Sequence, residues 1–442
     1  MRQPQKILNI MHIADALVFV LVGFAILLWA LGVADNDVFA TTQTTLTAIG
    51  QILGLSGIVL FALNLIISAR FLWLEALFGG LNRLYIQHSR YGQWAFIALL
   101  FHPLTLVFQY SAGSFVLAIK FLLPSDNVAL TFGIIGLYSM IALIVLTLYI
   151  RPQYHLWKLL HKLFGVAFFF GGLHVLLIPS TLSQYAPLKI YILTIVVLGL
   201  SAYVYRSVLA QFLVKQYRYT VLSVTPLNEM ITRVLLKPVA APMQYRAGQF
   251  LFIRFIDHDI STEAHPFSIV SEPGAEFLEI AVKNSGDYTA RMSQLSSGSE
   301  ALLEGPFGYF FVLDGAVQKQ VWIAGGIGIT PFIGRVRLMM HAGLAEGESV
   351  DLYYCVRNEA EAVYLNELRA LEQMYPEQFR VIIFASETEG RISAETIAQR
   401  SGDLSEADIF VCAPPVMIQS LKKQFRAIGV SKSAIHSEEF SL

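Results

Sequence analysis

Six stretches of about 20 apolar residues crowd into the first half of this 442-residue chain, near 13–32, 46–69, 91–111, 128–150, 159–178 and 188–212. Each is long enough to cross a hydrocarbon core of about 30 Å, and each must satisfy its backbone internally, which in lipid means a helix. Residues 216–442 have another texture, with short β-branched runs separated by Gly, Pro and charges, as in a soluble α/β chain. Charged residues make up 14% of the whole, against roughly 25% in a soluble domain. The net charge of −1 gives no basis for a nucleic-acid partner, and Cys355 and Cys412 form neither a disulfide framework nor a metal cluster. The expected organisation is a membrane domain over 1–215 and two soluble domains over 216–315 and 316–442. The first apolar run follows Arg2 and Lys6, but its length, Asp35 and Asp37 after it, and the later runs favour a span over a cleaved leader.

Basic residues set an expected orientation. Arg2 and Lys6 precede the first span, Arg70, Arg83 and Arg90 follow the second, and Arg151 and Lys158 follow the fourth. The opposite loops carry Lys120 and Lys189. The positive-inside rule then puts both termini in the cytoplasm of a multi-pass cell-membrane protein. Spans three and five run in the same direction.

Those two spans each carry two histidines. His88 and His102 are fourteen residues apart, and His161 and His174 thirteen. At 1.5 Å per residue both separations are about 20 Å, most of a membrane thickness. Fourteen residues leave two side chains within about 40° of one helix face; thirteen leave them about 140° apart, so span five must twist or bend. Gly165, Gly171 and Gly172 lie between its histidines. One histidine in a span is readily explained by a hydrogen bond to a neighbouring helix. Two pairs at matching depth suit two six-coordinate haem irons, His88 with His161 on the inner side and His102 with His174 on the outer. No Cys-x-x-Cys-His is present, so the haems would be b-type. His12 and His155 have no mate at the right depth and read as interfacial.

In the soluble half, "YTVLSVTPL", "ITRVLLKP", "FLFIRFI" and "FLEIAVK" alternate as an antiparallel barrel would. "AHPFSIVSEP" offers an aromatic beside a serine hydroxyl, able to hold an isoalloxazine ring. "VKNSGDYTARM" is a strand leading to a helix start, where Thr289, backbone N–H groups and Lys283 suit a pyrophosphate. "EGPFG" reads as a tight turn closing the barrel. "VWIAGGIGITPFIGRV" is a strand, a glycine turn and a helix; Gly325, Gly326 and Gly328 let the backbone approach a ligand, although the pattern is a variant of the dinucleotide fingerprint. "VDLYYCVRN" ends at Arg357, a candidate partner for a 2′-phosphate, and "ADIFVCAPPVM" leaves Cys412 at a strand's carboxyl end.

The order "HPFS", "VKNSGDYT", "EGPFG", "GGIGITP", "VCAPPVM" and a final "EEFSL" resembles the ferredoxin–NADP reductase module. Placed after six spans with paired histidines, it makes nearly the whole chain similar to the ferric reductase / NADPH oxidase family. The resemblance implies His265, Pro266, Phe267 and Ser268 against FAD, with Lys283, Gly286, Asp287 and Thr289 near its phosphates. It implies Gly325, Gly326, Gly328, Thr330 and Pro331 on the nicotinamide dinucleotide, with Cys412 and Pro414 beside the nicotinamide. Phe440 would cover the flavin; here Ser441 and Leu442 follow it, and Ala413 stands where glycine is usual.

The function implied is transfer of electrons from cytoplasmic NADPH, or NADH, through FAD and two b-type haems to an acceptor outside. That acceptor is O2, giving superoxide, or a ferric chelate. Other readings are delivery to a quinone or membrane partner, and a channel or haem transporter with a redox-sensing module. Nothing in the sequence calls for an obligatory protein partner.

Overall fold

The computed structural model describes residues 4–34, 37–111, 114–150, 152–258, 260–311 and 318–438. Phe440, Asp35, Arg151 and the expected 315/316 boundary lie outside these residues, as do the side chains of His12 and His155. The chain forms two compact units, Ile10–Leu213 and Val214 onward.

Six helices of the first unit are long and apolar enough to cross a membrane: Ala14–Gly32, Thr42–Ser68, Leu81–Phe108, Val128–Ile150, Leu156–Leu177 and Ala186–Leu209. Local chemistry starts several of them. The Thr41 hydroxyl accepts from Thr44 N, and the Asn127 side chain accepts from Leu130 N, each meeting a helix-start donor that has no partner within the helix. Span three begins about ten residues earlier than its apolar run, at Leu81, so His88 lies within the helix. Span five is two helices, Tyr154–Lys162 and Phe164–Leu177, meeting at Leu163 with ψ of −11°. The bend required between its histidines falls there, ahead of the glycines. Span two packs along span three, span four along span five and span six along span two.

The second unit holds two sheets. Strands β1 (Tyr217–Pro226), β2 (Ile231–Pro238), β3 (Phe250–Ile256), β4 (His265–Ser268), β5 (Leu278–Lys283) and β6 (Glu300–Phe307) form an antiparallel sheet in the order β4-β3-β6-β1-β2-β5. It curls without closing: no ladder joins edge strands β4 and β5, yet Val270 N, just past β4, donates to Glu279 O of β5 at 2.8 Å. The "EGPFG" segment is the end of β6 and not a turn. The sheet absorbs Gly305 and Pro306 as a bulge, pairing Phe252 with Glu304 and Phe250 with Phe307.

The second sheet is all parallel, with β7 (Lys319–Gly325), β8 (Ser349–Val356), β9 (Phe379–Ala385), β10 (Asp408–Cys412) and β11 (Ile435–Glu438) in the order β11-β10-β7-β8-β9. Apolar residues fill the middle of β7, β8, β9 and β10 and enter cores on both faces of the sheet. Trp322 and Ala324 enter one core, while Val321 and Ile323 enter the other. The first of these cores also takes in Ile231, Val270 and Ala281, so the two sheets share a hydrophobic body. Arg337, on the helix Thr330–Ala342, reinforces that junction. It bonds Glu279 of β5 at 3.0 Å and Glu367 of the helix Leu365–Met374 at 2.8 Å, and the Tyr364 hydroxyl donates to Glu279 at 2.9 Å.

Candidate functional site

The structure brings the four span histidines together as two pairs. The His88 and His161 ring centres are 5.9 Å apart and those of His102 and His174 are 6.3 Å apart, with interplanar angles of 59° and 62°. Residue numbers rise together across the pairs, so the two spans run in parallel. The spans make no extended backbone contact with each other; imidazoles bridge them. Two metal–imidazole bonds of about 2 Å, with each ring centre about 1 Å behind its nitrogen, span about 6 Å, so an iron fits between either pair.

Their outer nitrogens carry the second part of the argument. His102 Nδ1 lies 2.7 Å from Gly50 O, His174 Nδ1 lies 2.8 Å from Ala129 O, and His88 Nδ1 lies 3.2 Å from Asn64 O. A carbonyl only accepts, so each Nδ1 is the donor and each Nε2 keeps its lone pair for a metal. Those carbonyls belong to spans two and four, the helices packed behind the pairs. Glycine makes the approach feasible: a Cβ on Gly54 would fall 2.9 Å from His102 Nδ1, and one on Gly133 would fall 2.7 Å from His174 Nδ1. His161 differs. Its Nδ1 is buried without a hydrogen-bond partner among the described residues, and its ring stacks on Trp157 at 5.0 Å and 17°. Gly50, Asn64, Ala129, Gly54, Gly133 and Trp157 were not singled out by sequence reasoning.

The expected flavin residues sit on β4 and just after β5. Pro266 and Phe267 pair with Phe252 and Leu251, and Ser268 is buried. His265 stacks on Tyr288, with ring centres 3.8 Å apart. The Tyr288 hydroxyl is buried without a partner among the described residues, and burial, then Glu263, push its pKa up, so it stays a donor. An unsatisfied donor on the ring that stacks against His265 fits a polar ligand edge. The helix expected after "GDYT" is a single turn, Asp287–Ala290. Thr289 Oγ1 folds back to accept from Ser285 N and Gly286 N, both at 3.0 Å. Phosphate binding there would use Lys283, exposed at the end of β5, and open space around Gly286.

The expected nicotinamide residues meet where the order of the second sheet reverses. From β7 the chain moves outward to β8 and β9, then returns to β10 and β11 on the other side. The carboxyl ends of β7 and β10 therefore form the switch point, the usual ligand crevice of an open parallel sheet. Gly325, Gly326 and Gly328 end β7; Cys412, Ala413 and Pro414 end β10. The glycines also serve packing. A Cβ on Gly325 would meet Ala413 Cβ at 2.8 Å, and one on Gly328 would run into the Cys412 carbonyl. Thr330 and Pro331 are buried at the start of the following helix, and Thr330 Oγ1 donates to Ile327 O at 3.0 Å. Cys412 is fully buried, and burial, then Glu438, hold its thiol pKa well above the ordinary value. Burial thus favours the neutral thiol over the reactive thiolate. Arg357 follows β8, exposed and paired with Glu387 at 2.8 Å.

Comparisons with known proteins agree with this layout. A family model described as ferric reductase like transmembrane component matches residues 53–172, an FAD-binding domain matches 214–326, and an oxidoreductase NAD-binding domain matches 322–423. The reductase component of propane 2-monooxygenase from Mycolicibacterium goodii is 25% identical over 244 residues, 52% of this chain and 68% of that protein. Its counterpart from Rhodococcus jostii is 28% identical over 246 residues, 52% of this chain and 64% of the relative's length. The chain thus spans about two thirds of each. The crystal structure of Amycolatopsis cytochrome P450 reductase GcoB shares 22% identity, with a TM-score of 0.45 over 52% of this chain and 71% of that one.

Fold, site and matches define a multi-pass membrane oxidoreductase that transfers electrons and carries FAD- and NAD(P)H-binding domains. In this order the three family models match the ferric reductase / NADPH oxidase family, with a ferredoxin–NADP reductase type module after the membrane domain.

Proposed function

We propose that this protein passes electrons from NAD(P)H on the cytoplasmic side to O2 on the other, making superoxide. The balance is one NAD(P)H and two O2 giving NAD(P)+, one proton and two superoxide ions. When bound, FAD supplies hydride acceptance and single-electron release, and two b-type haems supply one-electron relay sites across the membrane. The paired imidazoles carry the reading: two couples at 5.9 and 6.3 Å on the same two spans, three of the four fixed through Nδ1.

In this reading His88 and His161 hold the inner haem and His102 and His174 the outer, with both termini cytoplasmic. His265, Pro266, Phe267, Ser268, Lys283, Gly286, Asp287 and Thr289 hold FAD, and Phe440 covers its ring. Tyr288 orients His265 by stacking. Gly325, Gly326, Gly328, Thr330 and Pro331 shape the nucleotide crevice, with Arg357 beside it. Cys412 and Pro414 place an uncharged wall where the nicotinamide would lie, with burial favouring the neutral thiol.

The test is an anaerobic absorption spectrum of the detergent-purified protein before and after NADPH, followed by air. Two b-type haems reduced by NADPH, then cytochrome c reduction suppressed by superoxide dismutase, support the proposal. Flavin without haem overturns it. Haem reduction with ferric-chelate turnover but no superoxide moves the assignment to a ferric-chelate reductase.

A further inference from the structure

We infer that Glu387 sets the choice of nicotinamide nucleotide, holding Arg357 away from a 2′-phosphate and so favouring NADH over NADPH. The inference rests on placing the dinucleotide at the switch point of the second sheet. In such sheets the adenosine ribose lies near the end of the strand beside the glycine turn. That strand is β8, and Arg357 follows its last residue, Val356. On sequence alone, a lone arginine there reads as a phosphate partner.

The structure adds a carboxylate from the next strand. β9 ends at Ala385, and the turn Ser386–Glu389 brings Glu387 back over Arg357. Two contacts hold it. Glu387 N donates to Arg357 O at 3.1 Å, and Arg357 Nε donates to the Glu387 carboxylate at 2.8 Å. The backbone bond does not depend on the ion pair, so Glu387 stays near even when Arg357 swings away. The neighbouring Glu389 is engaged by Arg400 at 2.5 Å, which leaves Glu387 as the acid set against Arg357.

A ribose diol can donate hydrogen bonds to that carboxylate. A 2′-phosphate, nearly dianionic, must displace it from Arg357 and then sit beside it. Arg357 and Glu387 are 73% and 45% exposed, so the pair opens at small cost. The selectivity is therefore a bias and not a block.

The experiment uses the full chain in detergent. Isothermal titration with 5′-AMP and 2′,5′-ADP reads binding without turnover, and kcat/KM for NADH and NADPH reads selection. The wild type should favour NADH. Glu387→Gln should raise the NADPH to NADH ratio about tenfold and tighten 2′,5′-ADP by a similar factor. The gain should shrink as salt is added. Combining it with Arg357→Ala should return most of the gain. An unchanged ratio in Glu387→Gln with both nucleotides still bound, or a wild type that prefers NADPH tenfold, overturns the inference alone. Failure of both probe nucleotides to bind any of these proteins overturns the placement of the dinucleotide on this sheet, and the inference with it.

Discussion

His102 and His174 are held by backbone: each donates to a carbonyl within 2.8 Å and each lies against a glycine. His88 makes a longer bond of 3.2 Å, and His161 makes none through Nδ1 among the described residues, its ring lying on the face of Trp157. The two pairs have nearly the same ring separation but different support. A carbonyl bond fixes tautomer and ring direction and makes the imidazole a stronger donor to metal. Stacking fixes the plane and leaves the nitrogen unassisted. Moreover, His161 sits just before the break at Leu163, where the chain has another way to move. The His102/His174 pair is the more fully supported by hydrogen bonds, and the His88/His161 pair the less.

On the proposed function, the largest effect should come from removing one of the two histidines assigned to the outer haem. His102→Ala or His174→Ala should lower haem content from two per chain towards one and cut delivery to the outer acceptor by more than about a hundredfold. NAD(P)H-driven reduction of a soluble dye at the flavin should persist. Pyridine haemochrome content and the two rates, measured on one preparation, check this. Loss of both haems from either variant would mean that the pairs are not separate sites.

Next in size is a crowding test. Gly133→Val adds a side chain whose first carbon would stand 2.7 Å from His174 Nδ1, so the ring must move or the helices part. Such overpacking costs about 1–3 kcal/mol, and the outer haem band should fall with it. Gly171→Ala is the control, since its Cβ would meet only Ile58 at 3.7 Å, an ordinary contact. Equal damage from both would show that the outer rings do not depend on the close approach.

Legibility in the sequence follows the same divide between periodic pattern and long-range contact. Apolar run length showed where the spans lie, and alternation showed β2 and β3 at Ile231–Pro238 and Phe250–Ile256. Histidine spacing indicated which rings would meet. What holds those rings was not legible, because Gly50, Asn64 and Ala129 act through carbonyls that every residue possesses, 24 to 52 positions away from their histidines. The early start of span three was hidden by the polar segment around Asn82 and Arg83, which lowers the mean hydropathy without breaking the helix. Pro306 suggested a turn because proline interrupts a ladder; β3 accommodates it by a bulge. Arg357 was visible and Glu387 was not, since only the pairing of β8 with β9 brings them together.

A smaller effect should separate stacking from hydrogen bonding at the inner pair. Trp157→Ala removes the face on which His161 rests, a contact of about 1 kcal/mol, and Trp157→Phe keeps an aromatic face. The alanine variant should shift the midpoint and the electron paramagnetic resonance signal of one haem, leaving the other unchanged. The phenylalanine variant should shift it less. A shift confined to the outer haem would reverse the assignment of which pair depends on stacking.

The smallest effect, and the finest probe of the contrast, is at Asn64. Its side chain is buried, and its Oδ1 has no partner among the described residues, while its backbone carbonyl serves His88. An orphan buried acceptor costs roughly 1–3 kcal/mol, and leucine has similar bulk without it. Asn64→Leu should therefore leave thermal stability unchanged or raise it by a few degrees, with the inner haem spectrum intact because the carbonyl remains. A clear loss of stability with a shifted inner spectrum would mean that Oδ1 is engaged once the haems are in place. The inner pair would then have polar support of its own, and the difference in support between the two pairs would shrink to the single unassisted nitrogen of His161.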